Sequence, residues 1–95
     1  MGFEWDENKR RANLDKHGLD FTRVKTIWQG EVIDPAITRS VEGELRYLAL
    51  GIPNKDEIIV AVVYTERNGN RRLISARRAR DYERKNYQGR FGRGR

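Results

Sequence analysis

The fold of this chain is decided by residues 68–80, which read NGNRRLISARRAR. Asn68-Gly69 tolerates the positive φ angles of a tight hairpin turn, and an apolar strand-like run lies on each side of it. The segment therefore predicts a turn, a strand over 71–75, and a helix from Arg77 to about Tyr87. The apolar run Ile58–Thr65 before the turn predicts a central strand covered on both faces, or covered on one face and paired with a second copy in a homodimer.

Cationic side chains collect where the last strand ends. Arg72, Ser75, Arg77 and Arg78 come to one edge of the expected sheet. Guanidinium groups present rigid forks of donors that match phosphate oxygens, so this edge is a candidate phosphate site. The alternative is an ordinary solvated basic helix. The whole net charge of +6 falls in residues 77–95, which hold eight basic and two acidic residues, and this asymmetry favours an anionic partner.

The rest of the chain supplies the other elements. Phe3-Glu4-Trp5 predicts a short edge strand, Asp6 and Gly18 bracket a helix over 7–17, and Asp20 starts a second helix that runs to about Gln29. Polar residues 38–43 predict a turn region before a strand over 45–52. The expected fold is α+β, with a small antiparallel sheet of three or more strands, two N-terminal helices and a C-terminal helix. Residues 1–88 form one domain, and the Gly/Arg-rich segment 89–95 is expected to be a mobile tail.

Composition excludes several classes of function. The chain has 95 residues and no cysteine, so disulfides, thiolate nucleophiles and zinc-thiolate sites are absent. No apolar run spans a bilayer and no secretory signal opens the chain, which predicts a cytoplasmic protein with no membrane contact. Four acidic residues could in principle hold Mg²⁺, but they follow no metal-loop pattern, so no metal and no cofactor is expected. These four are Glu42, Glu44, Asp56 and Glu57.

Two groups of residues could carry acid–base chemistry. Lys9, Asn13 and His17 are four residues apart, which places them on one face of the first helix. The alternative for His17 is a cation that favours the helix C-terminus. Glu44 and Arg46 are two residues apart on a predicted strand, so their side chains share a face. They could act as a base beside a stabilising cation, or they could form an ordinary surface salt bridge.

Four segments of the chain, in order and with natural spacing, resemble the BrnT family of type II toxins, and the resemblance covers about residues 3–87. The segments are Phe3-Glu4-Trp5-Asp6 with Lys9, Asn13, Lys16-His17-Gly18 and Phe21; Glu42–Gly51; Val63–Arg67; and Arg72–Ala79. Leu45 departs from the pattern, because a polar or basic residue is common there in relatives.

The resemblance implies a RelE-like fold and an RNA-cleaving toxin that arrests translation. It also implies a ribbon-helix-helix (BrnA-like) antitoxin, whose complex with the toxin binds operator DNA. The alternative is a non-catalytic basic RNA-binding module or a co-repressor subunit. The candidate catalytic residues are Lys9, His17, Glu44, Arg46, Arg72, Ser75 and Arg77, and the candidate RNA-binding residues are Arg71, Arg78 and Arg80. Metal-free cleavage needs a base, an acid and cations. The arginines supply the cations, and the base and acid stay open between Glu44, His17, Lys9 and a further group that the sequence does not identify.

Overall fold

The computed structural model describes residues 2–95, which form a five-stranded mixed sheet with helices on both sides. The elements in chain order are β1 Phe3–Trp5, α1 Glu7–His17, α2 Phe21–Val24, a 3-10 helix Lys25–Gln29, β2 Val32–Val41, β3 Glu44–Gly51, β4 Val60–Arg67, β5 Asn70–Arg78 and α3 Asp81–Phe91. The strands lie in the order β1-β5-β4-β3-β2. β1 pairs parallel with β5, and the other neighbours are antiparallel.

Two tight hairpins set the register of the four long strands. Asn68 and Gly69 join β4 to β5 with φ angles of 53° and 79°, so the predicted turn is confirmed. Glu42 and Gly43 join β2 to β3 in the same way, with φ angles of 51° and 81°. Each turn has two residues between paired strands, so the side chains next to each turn are directly opposed. The register shifts farther from the turns, between Val63 and Tyr64 in one hairpin and between Ile33 and Ile37 in the other.

The sheet has one apolar layer on each face. On the α2 face, residues of α2 and the 3-10 helix (Phe21, Val24 and Ile27) pack against the central strands. On the α3 face, Ala79 and Tyr87 pack against Leu48, Leu50, Ile59 and Ala61. The strand β4 alternates between these two layers, and its residues Val60 to Val62 are fully buried. The prediction of a central strand covered on both faces is therefore confirmed.

The helix α1 closes one edge of the sheet. Asp6 caps its start by accepting from the Asn8 and Lys9 amides, and Gly18 ends it with a φ of 69°. The buried side chain of Asn13 accepts a hydrogen bond from the Ala76 amide of β5 at 3.0 Å. The three-residue β1 pairs with β5 only over residues 71–73. The Asn13 side chain therefore provides the Ala76 amide of β5 with the acceptor that a longer β1 would have supplied. The predicted helix over 7–17 and both of its caps are confirmed.

Several predicted elements are wrong. The arrangement of two N-terminal helices with one C-terminal helix does not hold as stated, because the segment 20–29 is one α-helical turn followed by a 3-10 helix. The sheet has five strands and is mixed rather than antiparallel. The polar segment 38–41, expected in a turn region, continues β2. The polar sequence suggested a turn, but residues 38–41 are exposed on an edge strand. Such a strand does not need apolar side chains, because it is not packed against the core.

The C-terminal helix begins four residues later than expected. Arg77 and Arg78 belong to β5, and α3 starts after Arg80, whose amide donates to the Glu83 carboxylate at 2.8 Å. The helix continues to Phe91, and Tyr87 anchors it through a fully buried ring. At the end of the chain, the Arg95 amide donates to the Glu57 carbonyl at 2.8 Å. The domain boundary after residue 88 and the mobility of 89–95 stay predictions.

Candidate active site on the open half of the sheet

The helix α3 covers only part of its face of the sheet. It packs over the half that carries Leu50 and Ala61, and the half near the two hairpin turns has no helix over it. In that half the opposed residues change from apolar to polar. Leu48 pairs with Ile37 and Val63, whereas the next positions toward the turns are occupied by polar and charged side chains.

A row of arginines crosses the open half. Arg39 of β2 is directly opposite Arg46 of β3, and Arg72 of β5 is directly opposite Thr65 of β4. The Thr65 hydroxyl donates to the Leu45 carbonyl at 2.8 Å, which brings the two pairs side by side. Neighbouring strands are about 4.8 Å apart. The row therefore holds guanidinium groups on β2, β3 and β5, with Thr65 of β4 between the last two. On β3, the Glu44 carboxylate lies beside this row and accepts from Nε of Arg46 at 3.4 Å.

A pocket of ≈ 250 Å³ lies between this row and the start of α3. Its polar lining includes Arg39, Arg46, Arg77 and Arg80, and its apolar lining includes Ile37 and Leu48 of the sheet. Tyr82 of α3 also lines the pocket, and 58% of its surface is exposed. The pocket thus combines anion-binding side chains with an accessible aromatic ring.

One of these arginines already has an intramolecular partner. The guanidinium of Arg77 donates to both carboxylate oxygens of Glu83, at 2.7 and 3.0 Å, and the Glu83 side chain is only 2% exposed. Burial acts to raise the pKa of Glu83, but the hydrogen bonds from Arg77 and from the Arg80 amide lower it below its ordinary value. The hydrogen bond to Glu83 raises the pKa of Arg77. This ion pair fixes the start of α3 to β5.

The α1 candidates form a second group at the β5 edge. Lys9, His17 and Ser75 line a shallow pocket of ≈ 270 Å³ together with Asn13. Ser75 is directly opposite Val63, and Val63 also lines the arginine pocket. The two pockets therefore lie on neighbouring strands. The lysine and histidine side chains are exposed.

The remaining candidates line neither of these two pockets. Arg71 points to the α2 face, where its guanidinium lies 4.6 Å from the centre of the Trp28 ring and 3.5 Å from Asp34. Arg72 lies 3.7 Å from the Glu4 carboxylate of β1. Arg78, at the end of β5, is exposed. The structure thus brings Arg46, Arg77 and Arg80 together around one pocket, with Glu44 beside Arg46, and separately brings together Lys9, His17 and Ser75.

Sequence reasoning missed three residues of the arginine pocket. Arg39 was assigned to a turn region, although a two-residue turn at Glu42-Gly43 would have placed it opposite Arg46. Tyr82 falls inside the predicted helix from Arg77 to about Tyr87 and is not among the predicted site residues. Glu83 was not identified, because its partner Arg77 was placed in the same helix rather than on a strand.

Residues 2–95 contain neither a cluster of metal ligands nor a membrane-spanning helix. No three His, Asp or Glu side chains lie close enough together to hold a metal ion. No helix in this part of the chain is both long and apolar enough to cross a membrane.

A small α+β protein with an arginine-lined pocket beside an exposed aromatic ring has the features of a protein that binds a polyanion such as RNA. The family model described as "Ribonuclease toxin, BrnT, of type II toxin-antitoxin system" matches residues 5–83. Because the match spans most of the 95-residue chain, the chain belongs to the BrnT family of ribonuclease toxins. Membership implies an RNA target and an antitoxin partner. No curated protein matches the chain.

Proposed function

We propose that this chain is a metal-independent endoribonuclease of RelE-like fold that cleaves RNA in the arginine pocket and thereby inhibits translation. Its antitoxin is of the ribbon-helix-helix type, and operator DNA is bound only through the toxin–antitoxin complex. The observation that carries the proposal is the row of guanidiniums beside Glu44 on an uncovered sheet face. Such a row binds phosphates without a metal ion.

The cleavage step follows from these groups. The 2′-oxygen of the ribose attacks the adjacent phosphorus, its proton passes to the Glu44 carboxylate, and the bond from phosphorus to the 5′-oxygen breaks. Arg39 and Arg46 stabilise the charge that develops on the phosphate oxygens. Solvent, which reaches this open pocket, supplies the proton for the leaving oxygen. The products are a 2′,3′-cyclic phosphate and a 5′-hydroxyl.

The flanking groups position the RNA strand. Arg80 and Tyr82 are both exposed at the start of α3, and they bind the phosphate and the base next to the scissile bond. Lys9, His17 and Ser75 bind the strand where it passes over β5. Arg77 acts through Glu83, by holding α3 at the rim of the pocket.

The test is cleavage of a single-stranded RNA by the purified protein in excess EDTA. We expect cleavage to persist, and Arg39→Ala and Arg46→Ala each to slow it by ~10- to 100-fold, because each removes a charge-assisted hydrogen bond worth about 1.5–3 kcal/mol. Arg23→Ala is the matched control, because it removes one exposed arginine from the opposite side of the sheet.

Two results contradict the proposal. Activity that EDTA abolishes and Mg²⁺ restores would establish a metal-dependent mechanism. RNA binding without any cleavage by the wild-type protein would favour the non-catalytic RNA-binding module instead.

A further inference from the structure

The two edges of the sheet differ in how they are protected. The β1 edge is short, and α1 covers the strand beyond it through the Asn13 bond to β5. The opposite edge is the ten-residue strand β2, whose residues 38–41 are all exposed. Pro35 interrupts the first half of this strand, but residues 36–41 contain no proline and a single charge, Arg39. An edge strand with so few charges is a template for pairing with another chain.

The hairpin geometry shows which backbone groups point outward. Residues that flank a two-residue turn exchange both of their backbone hydrogen bonds, so Val41 and Glu44 form a hydrogen-bonded pair. Hydrogen-bonded pairs alternate along the strand, and Arg39 and Ile37 therefore also bond to β3. The N–H and C=O groups of Thr38 and Ser40 point away from the sheet.

The side chains beside this edge define the chemistry of its occupant. A strand added next to β2 would place alternate side chains on the α3 face, beside Ile37, Arg39 and Val41, all of which line the arginine pocket. Val41 and Tyr82 are exposed apolar residues there. An occupant with alternating acidic and apolar side chains would complement both the guanidiniums and the apolar surface.

We propose that the antitoxin adds an extended acidic segment to the free edge of β2. The segment hydrogen-bonds to the outward backbone groups of Thr38 and Ser40 and directs a carboxylate at Arg39. It thereby blocks the pocket in which RNA is cleaved. The blocking role rests on the proposed function, whereas the docking edge rests on the backbone geometry alone.

A second copy of this chain is a poorer occupant. An antiparallel pair of β2 strands, joined through the outward groups of Thr38 and Ser40, would have its twofold axis near Arg39. The two Arg39 side chains would then be directly opposed on the same face. Like charges in that position destabilise the pairing.

A proline at position 38 or 40 tests the edge with little effect on the sheet. It removes one outward-pointing N–H group and leaves the backbone hydrogen bonds between β2 and β3 intact. We expect Thr38→Pro and Ser40→Pro each to weaken binding of the antitoxin from the toxin's own operon by tenfold or more. The controls Thr38→Ala and Ser40→Ala keep the amide, and we expect them to stay within threefold of wild type. All four variants should cleave RNA at the wild-type rate.

Proline variants that bind the antitoxin like their alanine controls would overturn the proposal. Cleavage assays on the same proteins separate this failure from failure of the proposed function, in which wild type itself would not cleave RNA. Amide hydrogen exchange of the wild-type complex needs no substitution and covers the case in which a proline variant does not fold. The Thr38 and Ser40 amides should become protected by the antitoxin. Unchanged exchange, or protection that accompanies toxin dimerisation without antitoxin, would refute the docking.

Discussion

Replacing Arg77 with alanine is expected to lower the melting temperature strongly, and the reason lies in its partner. Glu83 is 2% exposed and accepts two hydrogen bonds from the Arg77 guanidinium. The truncation leaves a buried carboxylate without its counter-ion, a loss that costs about 3–5 kcal/mol in proteins. Arg77 is itself 22% exposed, so water reaches the vacated space and the lower end applies.

A loss of about 3 kcal/mol corresponds to a fall of about 12–24 °C in melting temperature for a domain of this size. Differential scanning calorimetry measures it directly. Arg78→Ala is the matched control, because it removes the same charge from the exposed neighbouring position and should change stability by less than about 0.5 kcal/mol. The double variant Arg77→Ala/Glu83→Gln removes the stranded charge but keeps an oxygen for the Arg80 amide, so it should recover part of the loss.

Equal melting temperatures for Arg77→Ala and Arg78→Ala would refute this reasoning. The result would mean that the Glu83 carboxylate finds other compensation and that the ion pair does not hold α3. Arg77 would then be available to bind phosphate directly, as the sequence predicted.

Three further predictions concern stability. The pKa of Glu83 is lower in the folded protein than its ordinary value of 4.5. The ionised Glu83 carboxylate therefore stabilises the fold above pH 4.5, and this stabilisation is lost as the pH falls through the pKa of the folded state. In urea titrations, the difference in unfolding free energy between wild type and Glu83→Gln should shrink at acidic pH. Asn13→Ala should cost about 1–3 kcal/mol in urea unfolding, because a β5 amide loses its acceptor. Gly51→Ala should cost about 1–3 kcal/mol, because the new Cβ would lie 2.6 Å from Cβ of Ile27, whereas Gly30→Ala, with open space around it, is the control.

The sequence predicted those elements whose signals are local. Asn68-Gly69 identified a hairpin because few residues adopt two consecutive positive φ angles, and Asp6 with Gly18 identified both ends of α1. The apolar run from Ile58 identified the central strand, since burial on both faces removes the polar alternation. Each of these signals is complete within a few neighbouring residues.

The sequence failed where a distant partner decides the structure. Arg77 and Arg78 look like the first turn of a helix, but β4 pairs with both of them and extends β5. The start of α3 is then set by Glu83, which accepts from both Arg77 and the Arg80 amide. Nothing in the local sequence of residues 77–80 reveals these two partners.

The candidate site was predicted in the same uneven way. Glu44 and Arg46 were placed on one strand face, as the structure has them, because side chains alternate along a strand. Arg39 could be found only from the register of the hairpin, which depends on extending β2 to Val41. Net charge was a coarse guide, since half of the eight cations after Ala76 are in ion pairs. These four are Arg77, Arg84, Arg93 and Arg95.

The position of the site follows from the size of the chain. A helix of eleven residues is about 16 Å long and about 10 Å wide, whereas four strands of eight to ten residues make a face about 26 Å long and nearly 20 Å across. One helix therefore cannot cover the whole α3 face, and Arg39 and Val41 of β2 stay exposed. Arginine is suited to such a surface, because its aliphatic stem covers the sheet while the guanidinium remains solvated. The open half borders the free edge of β2, so an antitoxin strand on that edge would reach the arginine pocket without crossing the domain.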